Sequence, residues 1–141
     1  MKVYTVSEKN GNKIQKRISD ILENRKEITF AYLHGSFLSD VFRDIDIAIY
    51  LNDANKRDKK DILKYEITLE RMLEDEIGLP VDVRVLNNAP LFFQFEVISK
   101  GKLLFSKNEN LRCDFESLII VKHHDFNFFR KIYRREALGI I

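Results

Sequence analysis

Hydrophobic positions along the chain follow two spacings, and the change from one to the other predicts its elements. Ile14, Ile18, Ile21 and Leu22 recur at helical spacing, which predicts an amphipathic helix over about 12–25. ITFAYLH, residues 28–34, is rich in β-branched and aromatic residues and stops at Gly35, as a strand does. A short stretch over 36–43 follows, and then DIDIAIYL, 44–51, places isoleucine at every second position. Ile62, Tyr65, Leu69, Met72, Leu73 and Ile77 form one stripe of a helix over 56–77, closed by Gly78 and Pro80. VDVRVL, 81–86, alternates again. Pro90 suits a first helical turn, so 91–100 reads as a helix closed by Gly101, with a strand at 102–106. From 109 to 137 the pattern is helical, with an expected break near 124–127.

The order is helix, strand, strand, helix, strand, helix, strand, helix. This predicts an α/β (α+β) fold: a small mixed sheet with helices packed on one side and the other side free for a site. Isoleucines 45, 47 and 49 and valines 81, 83 and 85 should face the core. Residues two apart share a face of a strand, so Asp44 and Asp46 project together on the opposite side, as do Asp82 and Arg84.

Length and composition narrow the class. A chain of 141 residues fits a single domain, here with a helical extension over about 109–141. With 45% hydrophobic and 33% charged residues it reads as a globular protein. Its only cysteine, Cys113, excludes an internal disulfide and fits a reducing cytoplasm. Basic and acidic residues number 24 and 22 without a basic block, which argues against direct nucleic-acid binding. No signal-peptide pattern and no membrane-length apolar run are visible, so a cytoplasmic location is expected.

The three aspartates carry the candidate chemistry. If the second and third strands are neighbours, Asp82 joins Asp44 and Asp46 in one carboxylate cluster. Three like charges at close range repel, and a cation relieves them. Magnesium prefers oxygen ligands and bridges carboxylates to phosphates, and two such ions serve in-line phosphoryl displacement. Gly35 and Ser36 stand where the first strand ends and a helical turn is expected. Glycine admits close backbone approach, while the turn's N–H groups and the serine hydroxyl donate to phosphate. Arg43 and Arg84 are candidates for extra positive charge beside a bound nucleotide.

With Gly35-Ser36, Asp44-Ile45-Asp46 and Val81-Asp82-Val83 in place, the chain resembles nucleotidyltransferases of the DNA polymerase β superfamily, most of all the minimal (MNT) branch. The resemblance runs over about 28–106 and is strongest in LHGSF and RDIDIAIYL. It implies that Gly35 and Ser36 bind the triphosphate of ATP and that Asp44, Asp46 and Asp82 hold magnesium. It also implies an antitoxin that moves AMP from ATP onto a tyrosine of a cognate HEPN-domain ribonuclease toxin. Only Phe37 to Arg43 separate the serine from the first aspartate, without the arginine-glycine step common there; the loop is shorter than usual. An antitoxin acting by binding alone, or a small-molecule nucleotidyltransferase of the aminoglycoside type, are the alternatives.

Other residues take blander assignments. His123 and His124 are adjacent and cannot face each other on a helix, so a surface or interface role is expected. Cys113 reads as a structural thiol. Phe126, Phe128, Phe129 and Tyr133 cannot all share one helical face, leaving core closure and an interface, with a homo-oligomer or the toxin, both open.

Overall fold

The computed structural model describes residues 2–38 and 41–139. Ser39 and Asp40, inside the 36–43 stretch, and Ile140 and Ile141, at the end of the expected extension, lie outside the described residues. The chain runs β1 (Tyr4–Thr5), α1 (Glu8–Glu23), β2 (Ile28–His34), a 3-10 turn (Gly35–Leu38), β3 (Val41–Phe42) and β4 (Ile45–Leu51). A second 3-10 turn (Ala54–Lys56) leads to α2 (Lys59–Ile77), β5 (Val81–Val85), α3 (Leu91–Lys100), β6 (Lys102–Ser106) and α4 (Glu109–Leu138).

Local chemistry sets these boundaries. The Ser7 hydroxyl accepts the Asn10 N–H at 3.2 Å and starts α1 earlier than the isoleucine spacing implies. Asp58 caps α2 by accepting the Asp61 N–H at 2.8 Å, and Gly78 ends it in the left-handed conformation. Asn108 caps α4, accepting from Leu111 at 3.1 Å.

Four strands form one mixed sheet in the order β5-β4-β2-β6. β2 pairs antiparallel with β4 and β6, and β4 pairs parallel with β5. Ile45, Ile47 and Ile49 with Val81, Val83 and Val85 fill one face with Ala31, Leu33, Leu69 and Leu73, under α1 and α2. Each large apolar side chain buried there contributes roughly 1.5–3 kcal/mol.

The other face is only partly open, which corrects the expectation of helices on one side. α3 and the first half of α4 pack on it over Phe30, Tyr32 and Ala48. Tyr32 and Phe30 give that side of β2 an aromatic surface too large to leave in water. Helices therefore cover both faces, and the exposed remainder is the region of β4 and β5 that carries Asp46, Asp82 and Arg84. β1 and β3, a two-stranded ribbon pairing Tyr4 with Phe42, were not foreseen. The Tyr4 and Phe42 rings stack at 5.8 Å and pin the chain just before Asp44. α4 is continuous through 124–127, because His123 and Asn127 turn inward and the His123 ring stacks flat on Phe95 at 3.6 Å.

Candidate active site

β4 and β5 lie side by side in register, with Asp46 opposite Asp82. Isoleucine-aspartate alternation on one strand and valine-aspartate alternation on the next thus send both carboxylates to the face opposite the core. Asp44, half-buried just before β4, lies within hydrogen-bond reach of Asp46. Burial, then the charges of Asp44 and Asp82, push the Asp46 carboxyl up to about 7, with Arg84 offsetting part of the rise. A protonated Asp46 donates to Asp44. The three predicted aspartates are brought together.

Gly35 is the opposite wall. It has φ 75°, and a Cβ built on it would stand 2.1 Å from Asp46 Oδ2 and 3.0 Å from Asp46 Cγ. Only glycine lets the turn approach the carboxylate this closely. Ser36 follows in the same 3-10 turn. The turn and the aspartates therefore meet at one end of neighbouring strands.

Arg84 reaches Asp82, Nε to Oδ1 at 3.5 Å, and its charge also acts on Asp46. Arg43 is exposed beside Asp44. Two clefts flank the cluster. One of about 380 Å³ is lined by His34, Gly35, Leu38, Phe93, Glu96 and Lys100. The other, of about 610 Å³, includes Arg57, Ile62, Leu63, Arg84, Pro90 and Phe93. Phe93 is common to both.

Three participants escaped sequence reasoning. His34 pairs in register with Asp46, and its ring meets Phe93 edge-on at 5.5 Å. Its Nε2 is buried without a hydrogen-bond partner among the described residues, and burial lowers its proton affinity. Glu66 and Glu70 on α2 accept the backbone N–H groups of Val85 and Val83, each at 2.9 Å. Burial raises the pKa of both carboxyls. Glu66 and Glu70 are four apart on the α2 stripe beside Leu69, the one signal that these carboxylates turn toward the sheet.

The donor set suits a divalent cation. Its atoms are hard carboxylate oxygens, and the raised Asp46 pKa marks a site short of positive charge. Among the described residues no group of three or more His, Cys, Asp or Glu side chains is placed to hold a metal ion. Arg84 holds Asp82 by one oxygen, so the third carboxylate is drawn toward the guanidinium rather than toward Asp46. A metal bound here would need further oxygen ligands, such as those of phosphate.

A glycine turn thus abuts paired strand carboxylates. The sequence pattern of the family Polymerase beta, Nucleotidyltransferase matches residues 16–110, and the chain belongs to that family. No curated protein matches. Among solved structures, the chain is similar to one of the toxin–antitoxin MntA-HepT, with 20% identity, TM-score 0.67, and 90% of this chain and 98% of that one covered. It is similar also to a chain of the tri-AMPylated Shewanella oneidensis HEPN toxin in complex with MNT antitoxin, at 21% identity and TM-score 0.66, covering 91% and 98%. A toxin–antitoxin structure with AMP-PNP matches at 22% identity and TM-score 0.64, covering 89% and 98%. These likenesses carry the fold. Among the described residues no helix is long and apolar enough to cross a membrane.

Proposed function

We propose that the chain is a cytoplasmic, magnesium-dependent adenylyltransferase antitoxin that moves AMP from ATP onto a tyrosine hydroxyl of a HEPN-type toxin. The observation that carries this reading is the meeting of Asp44, Asp46 and Asp82 with the Gly35-Ser36 turn. Support for the acceptor comes from the similar solved structures, one of which contains a tri-AMPylated HEPN toxin with its MNT antitoxin. The nucleotidyltransferase domain would span the chain, with α4 as its helical extension.

Asp44 and Asp46, with Asp82, are the residues that would hold magnesium, which when bound neutralises phosphate charge and polarises the phosphorus. The Gly35-Ser36 turn receives the triphosphate, and Lys100, in the cleft that Gly35 lines, adds positive charge. The acceptor hydroxyl approaches from the Asp82 side, where the larger cleft offers Ile62, Leu63 and Phe93 to an aromatic ring. Its oxygen attacks the α-phosphorus and forms a phosphodiester. The bond from the α-phosphorus to the bridging oxygen breaks, its electron pair leaves with pyrophosphate, and the hydroxyl proton passes to Asp82. Arg84 spreads the charge that develops. Arg43, exposed beside Asp44, would meet the outer phosphates.

The test uses ATP labelled on the α-phosphate, magnesium and the protein encoded by the adjacent gene. Label should appear on a tyrosine of that protein and vanish with Asp44→Ala or Asp46→Ala while circular dichroism stays native. A tight complex without label makes the chain an antitoxin by binding alone. Turnover on an aminoglycoside, with the adjacent protein unlabelled, moves it to the small-molecule class.

A further inference from the structure

Phe37 directly follows Ser36, and Phe42 stands two residues before Asp44. Both side chains are buried, and their rings meet edge-on at 4.7 Å. An edge-to-face pair of this kind prefers one geometry. The connection between the glycine turn and the first aspartate is thus fastened to itself near both ends, so a shift of one end moves the other.

Asp44 is the member of the cluster that most needs such a hold. Asp46 and Asp82 sit within β4 and β5, opposite each other in the ladder. Asp44 precedes β4, outside that ladder, and its neighbours carry like charge. Repulsion therefore falls on the carboxylate whose backbone is least tied. On its C-terminal side the Ile45 N–H donates to the Pro80 carbonyl at 2.9 Å. On its other side stands β3, a strand of two residues and too short to hold itself.

β3 is held from elsewhere in the chain. Tyr4 pairs with Phe42 and Thr5 with Val41, and the Tyr4 ring stacks on that of Phe42 at 5.8 Å and 28°. β1 is anchored in turn: Val6 packs against the main core, and Ser7 caps α1. Tyr4, Phe42 and Phe37 thus form a series of rings from the N-terminal arm to the residue beside Ser36. Phe37 and Phe42 belong to the buried core, whereas Tyr4 is half-buried, so its removal interrupts the series without emptying the core.

We propose that Tyr4 is a positioning residue: through Phe42 and Phe37 it sets the spacing between the Gly35-Ser36 turn and Asp44, and so the fit of a metal-bound nucleoside triphosphate between them. The identity of that ligand rests on the function proposed above; the mechanical link between β1 and the site does not.

Two measurements on the full chain test this. Calorimetry with ATP and magnesium, without an acceptor protein, should show Kd raised about tenfold in Tyr4→Ala, as loss of one aromatic pair allows. Tyr4→Phe keeps the stack and should bind like the parent. Hydrogen exchange at the Phe37 and Phe42 amides should quicken in Tyr4→Ala, while the Val83 and Val85 amides, held by α2, stay unchanged. Asn108→Ala removes the α4 cap at the end of the sheet away from Gly35; it should lower the melting temperature and leave both measurements as in the parent. If Tyr4→Ala does not fold, Tyr4→Leu, which keeps apolar bulk and loses the stack, carries the same expectations. Parent-like binding or parent-like exchange in that variant overturns the proposal, as does equal weakening in Asn108→Ala. Tyr4→Phe behaving like Tyr4→Ala overturns it too, since the stack is then not the link. A parent that binds no ATP with magnesium overturns the function proposed above, and the exchange comparison then decides the role of Tyr4 by itself.

Discussion

Replacing Gly35 by alanine separates two costs that usually arrive together. The residue has φ 75°, so any side chain carries the left-handed backbone penalty of roughly 1–2 kcal/mol. Gly78, at φ 79° with nothing within 4 Å of a built Cβ, would carry that penalty alone. At Gly35 the new methyl also stands 2.1 Å from Asp46 Oδ2, 3.0 Å from its Cγ and 3.3 Å from its Cβ. Swinging the carboxylate away relieves the first contact but not the other two, so an off-rotamer side chain or a shifted backbone adds about 1–3 kcal/mol.

Gly35→Ala should therefore lose about 2–5 kcal/mol and Gly78→Ala about 1–2, a gap visible as several degrees in melting temperature. Transfer should fall by about a hundredfold for Gly35→Ala, since a displacement near 1 Å is enough for that, and stay normal for Gly78→Ala. The assays are urea unfolding and AMP transfer on the same preparations. In an Asp46→Ala background only the 3.3 Å contact remains, and the extra cost at Gly35 should shrink toward that at Gly78. Equal losses at the two glycines, or a loss at Gly35 unchanged by Asp46→Ala, would refute the steric account.

The Asp46 carboxyl, held at about 7 against an ordinary 3.8, binds its proton more firmly folded than unfolded. In chelator-treated protein its contribution is therefore full below pH 3.8 and lost as pH rises toward 7, by about 1–2 kcal/mol after allowance for solvent screening. Asp46→Asn should flatten that part of the stability–pH curve and magnesium should offset the loss; parallel curves for the two proteins would count against the cluster. Glu66→Ala strips the acceptor from the Val85 N–H and should destabilise by about 1–3 kcal/mol, with Glu66→Gln recovering most of it in the same denaturant titration.

The placement of the candidate aspartates was legible where the sequence speaks in short periods. Alternation in 44–51 and 81–86 assigns each aspartate a face, and the observed register then puts Asp46 beside Asp82. What escaped depends on distant partners. Nothing local in Tyr4 or Phe42 announces a two-residue ribbon, because each strand exists only against the other. The isoleucine spacing places the start of α1 too late because its first turns carry no isoleucine and are set instead by the Ser7 cap. The expected break in α4 failed because His123 found Phe95, a contact between separate helices. His34 reads as the last residue of a strand until pairing sets it against Asp46.

β5 is a border strand, and its outward amides at Val83 and Val85 would ordinarily invite another chain to add itself to the sheet. With Glu70 and Glu66 clasping those amides, that border is sealed beside the aspartates. On the function proposed above, an incoming protein would present a side chain to the cavity rather than zip its own main chain alongside, which leaves selection to shape and charge.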